Sequence, residues 1–560
     1  MMNAPDERLS VKACHVCEGT RFYYLFSAAD CRVVRCDDCG LIFLNPQPSE
    51  SELARIYGAD YFIGSESEAG RQAASELKRA TAKMYLAEIA RYRGAGAGRL
   101  LEIGCGEGDF LELAEADGWE VTGIEYSAAA ADRARRRLKR GQVHCGELRA
   151  ASFAPRQFDL CVISDVLEHV RSPREFLGEI HHVLKPGGTL FVATPSIDSW
   201  SARLQRKNWM EFKTEHLTYF DRQTLQTVMF KSGFREVIVQ PGWKFLTVDY
   251  VRQHFARYPV PVTTPLMNFF ARILPAGMRA RRWRVVASGI MAFGRKADIR
   301  ARQVLSVVVP AYNEAATFGL MMDGLLRKEL PDLDLEIIVV ESNSTDGTRD
   351  LARKYAAHPR VKLILQERPR GKGNAVRAGL NAATGDYVLI QDADLEYDFE
   401  DYDALLAQLT GGRSAFVLGS RHGGRKVFKM RRYTGQQGLS LFVNSGHWFF
   451  TTLINVLFFQ RLRDPFTMFK VFRRDCLFGL ELEYDRFDFD FELLIKLIRK
   501  GYRPVESPVN YRSRSFAEGK KVRLFRDPLT WVKALIRLRL AKINPLETVE
   551  RIRARGSAGK

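Results

Sequence analysis

The segment Gly98 to Ser127, "GRLLEIGCGEGDFLELAEADGWEVTGIEYS", constrains the fold more than any other part of the chain. Leu100 to Ile103 is a short apolar run and reads as a buried strand. It breaks into Gly104, Gly106 and Gly108, and a helical pattern through Leu111 and Ala114 follows. A second apolar run, Val121 to Ile124, ends in Glu125. Strand, glycine turn, helix and strand in this order specify an α/β unit. Glycines at such a turn let the backbone approach a cofactor closely, and an acid at the next strand end can bind ribose hydroxyls. A lone glycine fingerprint is weak. Two later segments strengthen it: "FDLCVISDVLEHV", Phe158 to Val170, and "VLKPGGTLFVATPS", Val183 to Ser196.

With its leading acid the loop reads Glu102-x-Gly104-x-Gly106-x-Gly108. In this form the chain resembles the class I S-adenosylmethionine-dependent methyltransferases rather than the dinucleotide dehydrogenases. The resemblance runs from about residue 40 to residue 297 and includes "EHLTYFDRQTLQTVMFKSGF", Glu215 to Phe234. It implies that Glu102, Gly104, Gly106 and Gly108 pass the methionine part of the cofactor and that Glu125 binds its ribose. Asp165, at the end of the fourth strand, is then expected beside it. The subgroup is similar to bacterial methyltransferases that carry an N-terminal zinc ribbon, several of which act on sugars. Transfer from a sulfonium needs an aligned nucleophile and often a base. His169 and His216 are the candidate bases, and each also reads as a structural histidine. "GIMAFGRKA", Gly289 to Ala297, reads as the last strand. The basic, aromatic stretch before it, Leu266 to Arg284, is either an amphipathic surface helix or core packing with a solvated face.

A second α/β unit starts at "VLSVVVPAYNEAATF", Val304 to Phe318. The strand "LEIIVVESNSTDGT" (Leu335 to Thr348) follows, then the basic turn "RPRGKGNAVRAGLNAATGDY" (Arg368 to Tyr387). Next, the apolar run Tyr387 to Ile390 ends in Asp392, Asp394, Glu396 and Asp398. Carboxylates gathered at a buried strand end repel unless paired or metal-bound, so a cation site is expected there. Four separated motifs in this order resemble the inverting family-2 glycosyltransferases of the GT-A fold, over about residues 303 to 530. The resemblance implies that Asp392 and Asp394 hold Mg²⁺ or Mn²⁺ against the diphosphate of a nucleotide-sugar. It also places Pro310, Tyr312, Asn313, Glu314, Glu341 and Lys372 around that donor. One departure is plain. The family commonly has two aspartates at the second strand end, where this chain has Glu341 and Ser342.

Downstream, "GSRHGGR" (Gly419 to Arg425), "RDPFTMFKVFRRD" (Arg463 to Asp475) and the segment Tyr484 to Val522 look like the dolichyl- or polyprenyl-phosphate sugar transferase branch. A phosphate acceptor needs little base assistance. A hydroxyl acceptor needs a base, for which Asp488 and Asp490 are the candidates. Arg512, Arg514, Lys520 and Lys521 could clamp an acceptor phosphate, or form an ordinary solvated basic loop. Trp531, Leu535, Ile536 and Leu538 alternate with Lys533, Arg537, Arg539 and Lys542. Such a helix suits an anionic membrane surface or packs on its own domain.

At the N-terminus, Cys14-x-x-Cys17 and Cys36-x-x-Cys39 have the spacing of a four-thiolate zinc ribbon. A closed site of this kind is structural. The clustering of cysteines points to a reducing cytoplasm rather than a disulfide scaffold. No secretory signal is apparent, and Leu439 to Phe459 is long enough to span a membrane, but Asn444, His447 and Asn455 interrupt it. An interfacial or buried helix is therefore expected. The 560-residue chain carries a formal charge of +19, which favours an anionic partner. Nine Arg or Lys residues lie from Arg272 to Arg302 against the single Asp298.

The expected architecture is α/β throughout: a zinc ribbon (10–45), a Rossmann-like methyltransferase domain (46–298), a linker (299–303), a GT-A glycosyltransferase domain (304–530) and a basic tail (531–560). The expected function is bifunctional. One domain transfers a sugar to a polyprenyl phosphate or lipid-linked glycan, and the other a methyl group to a glycan-related substrate, in cell-envelope polysaccharide synthesis. The expected place is the cytoplasm, peripheral at the inner face of the membrane, with no nucleic acid partner. Two rivals use the same motifs: a ribosomal-RNA-type methyltransferase with an accessory sugar-nucleotide domain, and a non-catalytic scaffold.

Overall fold

The computed structural model describes residues 7–28, 31–56, 68–421, 437–513 and 526–558. The chain divides into two compact units, Met1–Ile299 with Val549–Lys560, and Arg300–Thr548.

The first unit opens with three antiparallel strands, β1 (Phe22–Ala28), β2 (Cys31–Cys36) and β3 (Ile42–Leu44). A parallel sheet follows, built from β4 (Arg99–Ile103), β5 (Glu120–Glu125), β6 (Gln142–Cys145), β7 (Phe158–Ser164) and β8 (Leu184–Pro195). The short β9 (Thr218–Tyr219) returns to pair with β3. Two long strands, β10 (Phe234–Leu246) and β11 (Trp283–Lys296), close the large sheet antiparallel, in the order β10-β11-β8-β7-β4-β5-β6. Leu100, Leu101, Leu160, Cys161, Val162 and Ile163 are fully buried, as strands covered by helices on both faces must be. Side chains fix the helix starts: Ser127 caps Ala128–Arg137, and Asp221 makes a reciprocal capping box with Thr224.

The strand expected at Gly289–Ala297 is the second half of β11. It starts earlier because Val285 and Val286 continue the pairing with Lys244 and Trp243 of β10. The stretch Leu266–Arg284 is therefore shared between a helix (Thr263–Ile273), a short helix (Ala276–Ala280) and the first residues of β11.

The three N-terminal strands are not a free-standing knuckle. Val11, Cys14, Val16, Cys36, Cys39 and Leu41 share one apolar core with Leu101, Ile163, Leu190 and Val228 of the larger sheet and its helices.

In the second unit the strands are β12 (Gln303–Ala311), β13 (Leu333–Glu341), β14 (Val361–Leu365), β15 (Tyr387–Ile390), β16 (Phe416–Ser420), β17 (Lys470–Arg473) and β18 (Val505–Pro508). Their order is β14-β13-β12-β15-β17-β16-β18, with β17 antiparallel to both neighbours. All four residues of β15 are buried. In both units the chain leaves the central strand to one side and later returns on the other. The crevice at the carboxyl ends of β4 and β7, and that at the ends of β12 and β15, are the switch points where such sheets bind ligands.

The apolar segment expected at Leu439–Phe459 is a helix, Gln437–Phe458. Its stretch Ser440–Phe458 is long and apolar enough to cross a membrane by length and composition, with a mean hydropathy of 1.2. Three of its polar residues face the protein: Asn444, His447 and Thr451 are buried with Phe450 and Ile454, whereas Leu441, Phe442, Trp448, Phe449 and Val456 are exposed, together with Ser445 and Thr452. The helix Arg526–Leu540 buries Ala534, Leu535 and Leu538, and Trp531 sits against the rings of Phe450, Phe466 and Phe491.

Candidate active sites

A cavity of about 920 Å³ opens at the β4/β7 switch point. Of the residues expected there, Glu102, Gly104, Gly106, Glu125, Asp165, His169 and His216 line it. Gly108 does not. It turns the chain into the next helix at φ +81°, and a Cβ there would press on Ala134 at 3.2 Å. Gly104 is also left-handed (φ +75°), and a Cβ would stand 2.5 Å from Val166, so only glycine fits. Gly106 (φ +54°) meets nothing within 4 Å, so its backbone is open to a ligand.

The two acids differ. Glu125 is satisfied on its inner side, where its carboxylate accepts the amides of Gly106 at 2.8 Å and Ser127 at 2.9 Å. Glu102 is buried, and its Oε2 has no hydrogen-bond partner among the described residues. Burial, then the neighbouring Asp109 and Glu125, push its carboxyl well above the usual range. An unsatisfied buried carboxylate oxygen beside a left-handed glycine loop fits the ammonium end of S-adenosylmethionine, and Glu125 fits the ribose.

The far side of the cavity is ionic. Asp165, itself left-handed at φ +55°, accepts Lys244 Nζ at 2.7 and 2.9 Å. Lys213 pairs with Glu211 at 3.3 Å and lies over the ring of Tyr258. His169 Nδ1 faces the carbonyl of Glu215 at 2.9 Å, and His216 Nδ1 that of Glu211 at 2.8 Å. A carbonyl only accepts, so both rings carry the proton on Nδ1 and keep the lone pair on Nε2. Burial pulls His169 down to about 4 and, with His169 and Lys213 adding, takes His216 well below its ordinary value. Both are neutral at physiological pH, as a base must be. Burial and then Asp165 raise Glu168, which accepts Thr194 Oγ1, to about 8. Glu168, His169 and His216 bring ligand atoms within 4.8 Å of one another, but Lys213 and Lys244 beside them oppose a cation.

Sequence reasoning missed Lys213, Lys244, Glu211, Tyr250, His254 and Tyr258 on this cavity wall. The available signal was a charged residue set in a short apolar run, as Lys244 is within Gly242–Leu246. Pairing of β9 with β3 ties the segment that carries His216 to the cysteine strands.

The four cysteines converge as expected. Cys14 Sγ lies 3.5 Å from Cys39 Sγ, Cys17 Sγ lies 3.5 Å from Cys36 Sγ, and all four fall within 4.8 Å. Tetrahedral zinc with bonds of about 2.3 Å spaces its sulfurs by about 3.8 Å, so the set fits Zn²⁺.

At the second switch point the acidic run separates into distinct roles. Asp392 Oδ1 holds Lys372 Nζ at 2.5 Å. Asp394 Oδ1 accepts the amide of Glu396 at 3.2 Å. Glu396 Oε2 accepts Tyr511 Oη at 2.9 Å, and Asp398 caps Glu400 at 3.0 Å. Each of the four carboxylates thus already has a partner; Asp392 and Asp394 are the two expected to meet a cation, whose other ligands would be phosphate and water, as is ordinary for Mg²⁺. Lys372, expected at the phosphates, also neutralises Asp392. Burial opposes its charge, but Asp392 and Asp490 outweigh that and raise it.

Asp490 lies 3.9 Å from the buried Lys470, and burial raises its carboxyl. It thus belongs to the group around Lys372. Asp488 starts the helix Phe489–Lys500, with a buried Oδ1 that has no hydrogen-bond partner among the described residues. Glu341 is fully buried, accepting Ser344 N at 2.6 Å and facing Arg349 Nε at 3.2 Å, so it braces the loop after β13. Asn313 and Glu314 dock on the same loop through Ser344, Thr345 and Thr348. Pro310 lies near the end of β12, and Tyr312 beyond it is partly exposed. Arg512 is exposed, with its amide on Glu396 O at 2.9 Å. Arg514, Lys520 and Lys521 lie outside the described residues.

A pair that sequence reasoning passed over stands behind this site. Arg421 donates to Asp464 at 2.7 and 2.8 Å, and its amide adds a third bond at 2.9 Å. The motifs that carry them, "GSRHGGR" and "RDPFTMFK", were both visible; their contact was not.

Comparison with known proteins agrees with this division. The family described as Methyltransferase domain matches residues 70–239, and Glycosyl transferase family 2 matches 306–478. A dolichyl-phosphate β-glucosyltransferase of Saccharomyces cerevisiae is 29% identical over 258 residues, 42% of this chain and 74% of its own length. The human protein of that name is 32% identical over 207 residues, 34% of this chain and 61% of its own. Among solved structures, a SAM-dependent methyltransferase from Archaeoglobus fulgidus aligns at 20% identity over 40% of this chain and 94% of its own, with a TM-score of 0.28, too low to carry an argument.

Proposed function

Because residues 70–239 are a methyltransferase domain and residues 306–478 a family-2 glycosyltransferase domain, we propose that this enzyme performs two transfers on glycan material. One moves a sugar from a nucleotide-sugar to a polyprenyl phosphate or lipid-linked glycan. The other moves a methyl group from S-adenosylmethionine to a glycan-related acceptor. The observation that carries this is that each large sheet places a buried carboxylate at its switch point, Glu102 near the end of β4 and Asp394 just after β15.

In the first unit, Glu102 and the left-handed glycine loop hold the methionine end of the cofactor, and Glu125 the ribose. The cofactor supplies the electrophilic methyl group. His169 and His216 present unprotonated Nε2 atoms and can take the acceptor's proton. Lys213 and Lys244, paired and partly buried, orient the polar groups of the acceptor. The cysteine cluster holds structural Zn²⁺. In the second unit, Asp392 and Asp394 would hold a divalent cation against the donor diphosphate, and Lys372 faces the same phosphates. A divalent cation, when bound, neutralises the leaving diphosphate. Lys372 supplies charge at the same point, and Asp490 is the base for a hydroxyl acceptor.

The relatives named for dolichyl phosphate support a polyprenyl-phosphate acceptor. So does the exposed apolar face of the helix Gln437–Phe458, beside exposed Ile536 and Leu540 and the cations Lys533, Arg537 and Arg539. These features support peripheral attachment at the inner face of the membrane, in cell-envelope polysaccharide synthesis.

The test mixes purified protein, Mg²⁺ or Mn²⁺ and bacterial membrane lipid with radiolabelled nucleotide-sugars, with Asp394→Ala beside it. Label that enters the organic phase and is lost in the variant is the expected result. Label that stays aqueous with every donor refutes the lipid acceptor.

A further inference from the structure

Between β10 and β11 the chain inserts a helical cap: Val248–Arg257, Thr263–Ile273 and Ala276–Ala280. Its inner side belongs to the methyltransferase cavity, which Tyr250, His254 and Tyr258 line. Phe255, Val260 and Ala271 are buried where the first two helices pack. The outer side is the reverse of what solvent favours. Leu266, Phe269, Phe270 and Ile273 fall at i, i+3, i+4 and i+7, a single helical stripe, and Phe269 is 59% and Ile273 61% exposed. Exposed Val262 and Met278 extend it.

Scattered apolar residues on a surface need no explanation, but a contiguous stripe marks an interaction site. Charge says which kind. Arg272, Arg281, Arg282 and Arg284 border the stripe and are exposed, and no Asp or Glu occurs from Val251 to Ala297. An apolar stripe edged by arginine alone is the composition of a helix lying in an anionic lipid interface.

We propose that the outer face of this cap docks on a bilayer bearing anionic headgroups, with Leu266, Phe269, Phe270 and Ile273 in the acyl boundary and the arginines at the phosphates. The cap is two helices deep, and packed helices lie about 8–10 Å apart. The cavity wall at His254 is thus about one helix from the lipid. Docking brings the methyl-acceptor side to the membrane, so the acceptor class is a lipid-borne glycan. That last step rests on the bifunctional reading; the docking does not.

The test places an environment-sensitive fluorophore at residue 269 of the full chain, through Phe269→Cys in a Cys145→Ser background, since Cys145 is the exposed cysteine among the described residues. Vesicles of phosphatidylglycerol should blue-shift its emission, and brominated lipid should quench it. A probe at the exposed Tyr24, introduced as Tyr24→Cys, should not respond. Arg281→Ala with Arg282→Ala should weaken the response roughly 25-fold, about five-fold per arginine, while S-adenosylhomocysteine binding is retained. An unresponsive probe on a chain that still sediments with vesicles overturns the proposal, because another surface then does the docking. So does a blue shift that follows protein concentration and escapes lipid quenching, which would assign the face to a second copy. Equal responses on neutral and anionic vesicles overturn the role of charge. None of these readouts depends on either transfer reaction.

Discussion

Glu102→Gln keeps the shape of a buried side chain and removes its charge, which makes the cofactor's ammonium end testable. Glu102 Oε2 has no hydrogen-bond partner among the described residues, and burial followed by Asp109 and Glu125 holds the carboxyl well above the ordinary range. An ammonium group favours the ionised form, so cofactor binding should pull this raised carboxyl back down and expel any proton it carries. A hydrogen bond between charged partners contributes about 1.5–3 kcal/mol net, which is about 10- to 150-fold in Kd. Titration calorimetry with S-adenosylhomocysteine, run in buffers of different ionisation heat, reads both quantities. The native chain should release up to one proton per ligand, and its affinity should rise with pH. The variant should bind about 10- to 150-fold more weakly and lose that proton release. The apo stabilities should run the other way. A carboxyl whose folded pKa is raised costs stability as pH climbs above its unfolded value, about 4.3. The glutamine variant should therefore unfold at higher temperature than the native chain at neutral pH. Equal affinity with equal proton release in both proteins would refute the assignment of Glu102 to the ammonium group.

Three further outcomes are expected. Gly104→Ala must bear φ +75° and a Cβ 2.5 Å from Val166, so it should lose at least about 1–2 kcal/mol and most cofactor affinity, read by thermal melts and calorimetry. Asp464→Ala leaves Arg421 buried and unpaired and should cost about 3–5 kcal/mol in urea unfolding. Burial works against charge on Asp464, but Arg421 outweighs it and holds the carboxyl below the usual range; the contribution is therefore intact at neutral pH and is lost only as pH falls past that range. Cys36→Ser should abolish bound zinc, measured by elemental analysis, and should also weaken S-adenosylhomocysteine binding, because the cysteine strands share the core of the larger sheet.

Much of the fold was legible because short-range rules decide it. An apolar run that stops at Gly104 or at Asp392 can only be a buried strand meeting a turn, and two cysteine pairs at that spacing converge whatever surrounds them. The glycines also announced their conformation, since only a residue without Cβ tolerates Gly104's place against Val166. The partners of charges were not legible in the same way. The acidic run after β15 reads as one cation site, yet Tyr511, more than a hundred residues later, takes Glu396, and Lys372 takes Asp392.

Chain order alone specifies two α/β units, where each central strand ends, and which residues carry carboxylate, imidazole and thiolate. Those depend on periodicity and local backbone freedom, which are properties of neighbours in the chain. Only the tertiary structure decided that Lys244 reaches Asp165, that Arg421 is neutralised by Asp464, and that Asn444 and His447 face inward while Trp448 and Phe449 face out. Each of these is set by which surfaces are removed from water together. Desolvation gives a buried charge its partner or its altered pKa, and it acts between residues far apart in sequence.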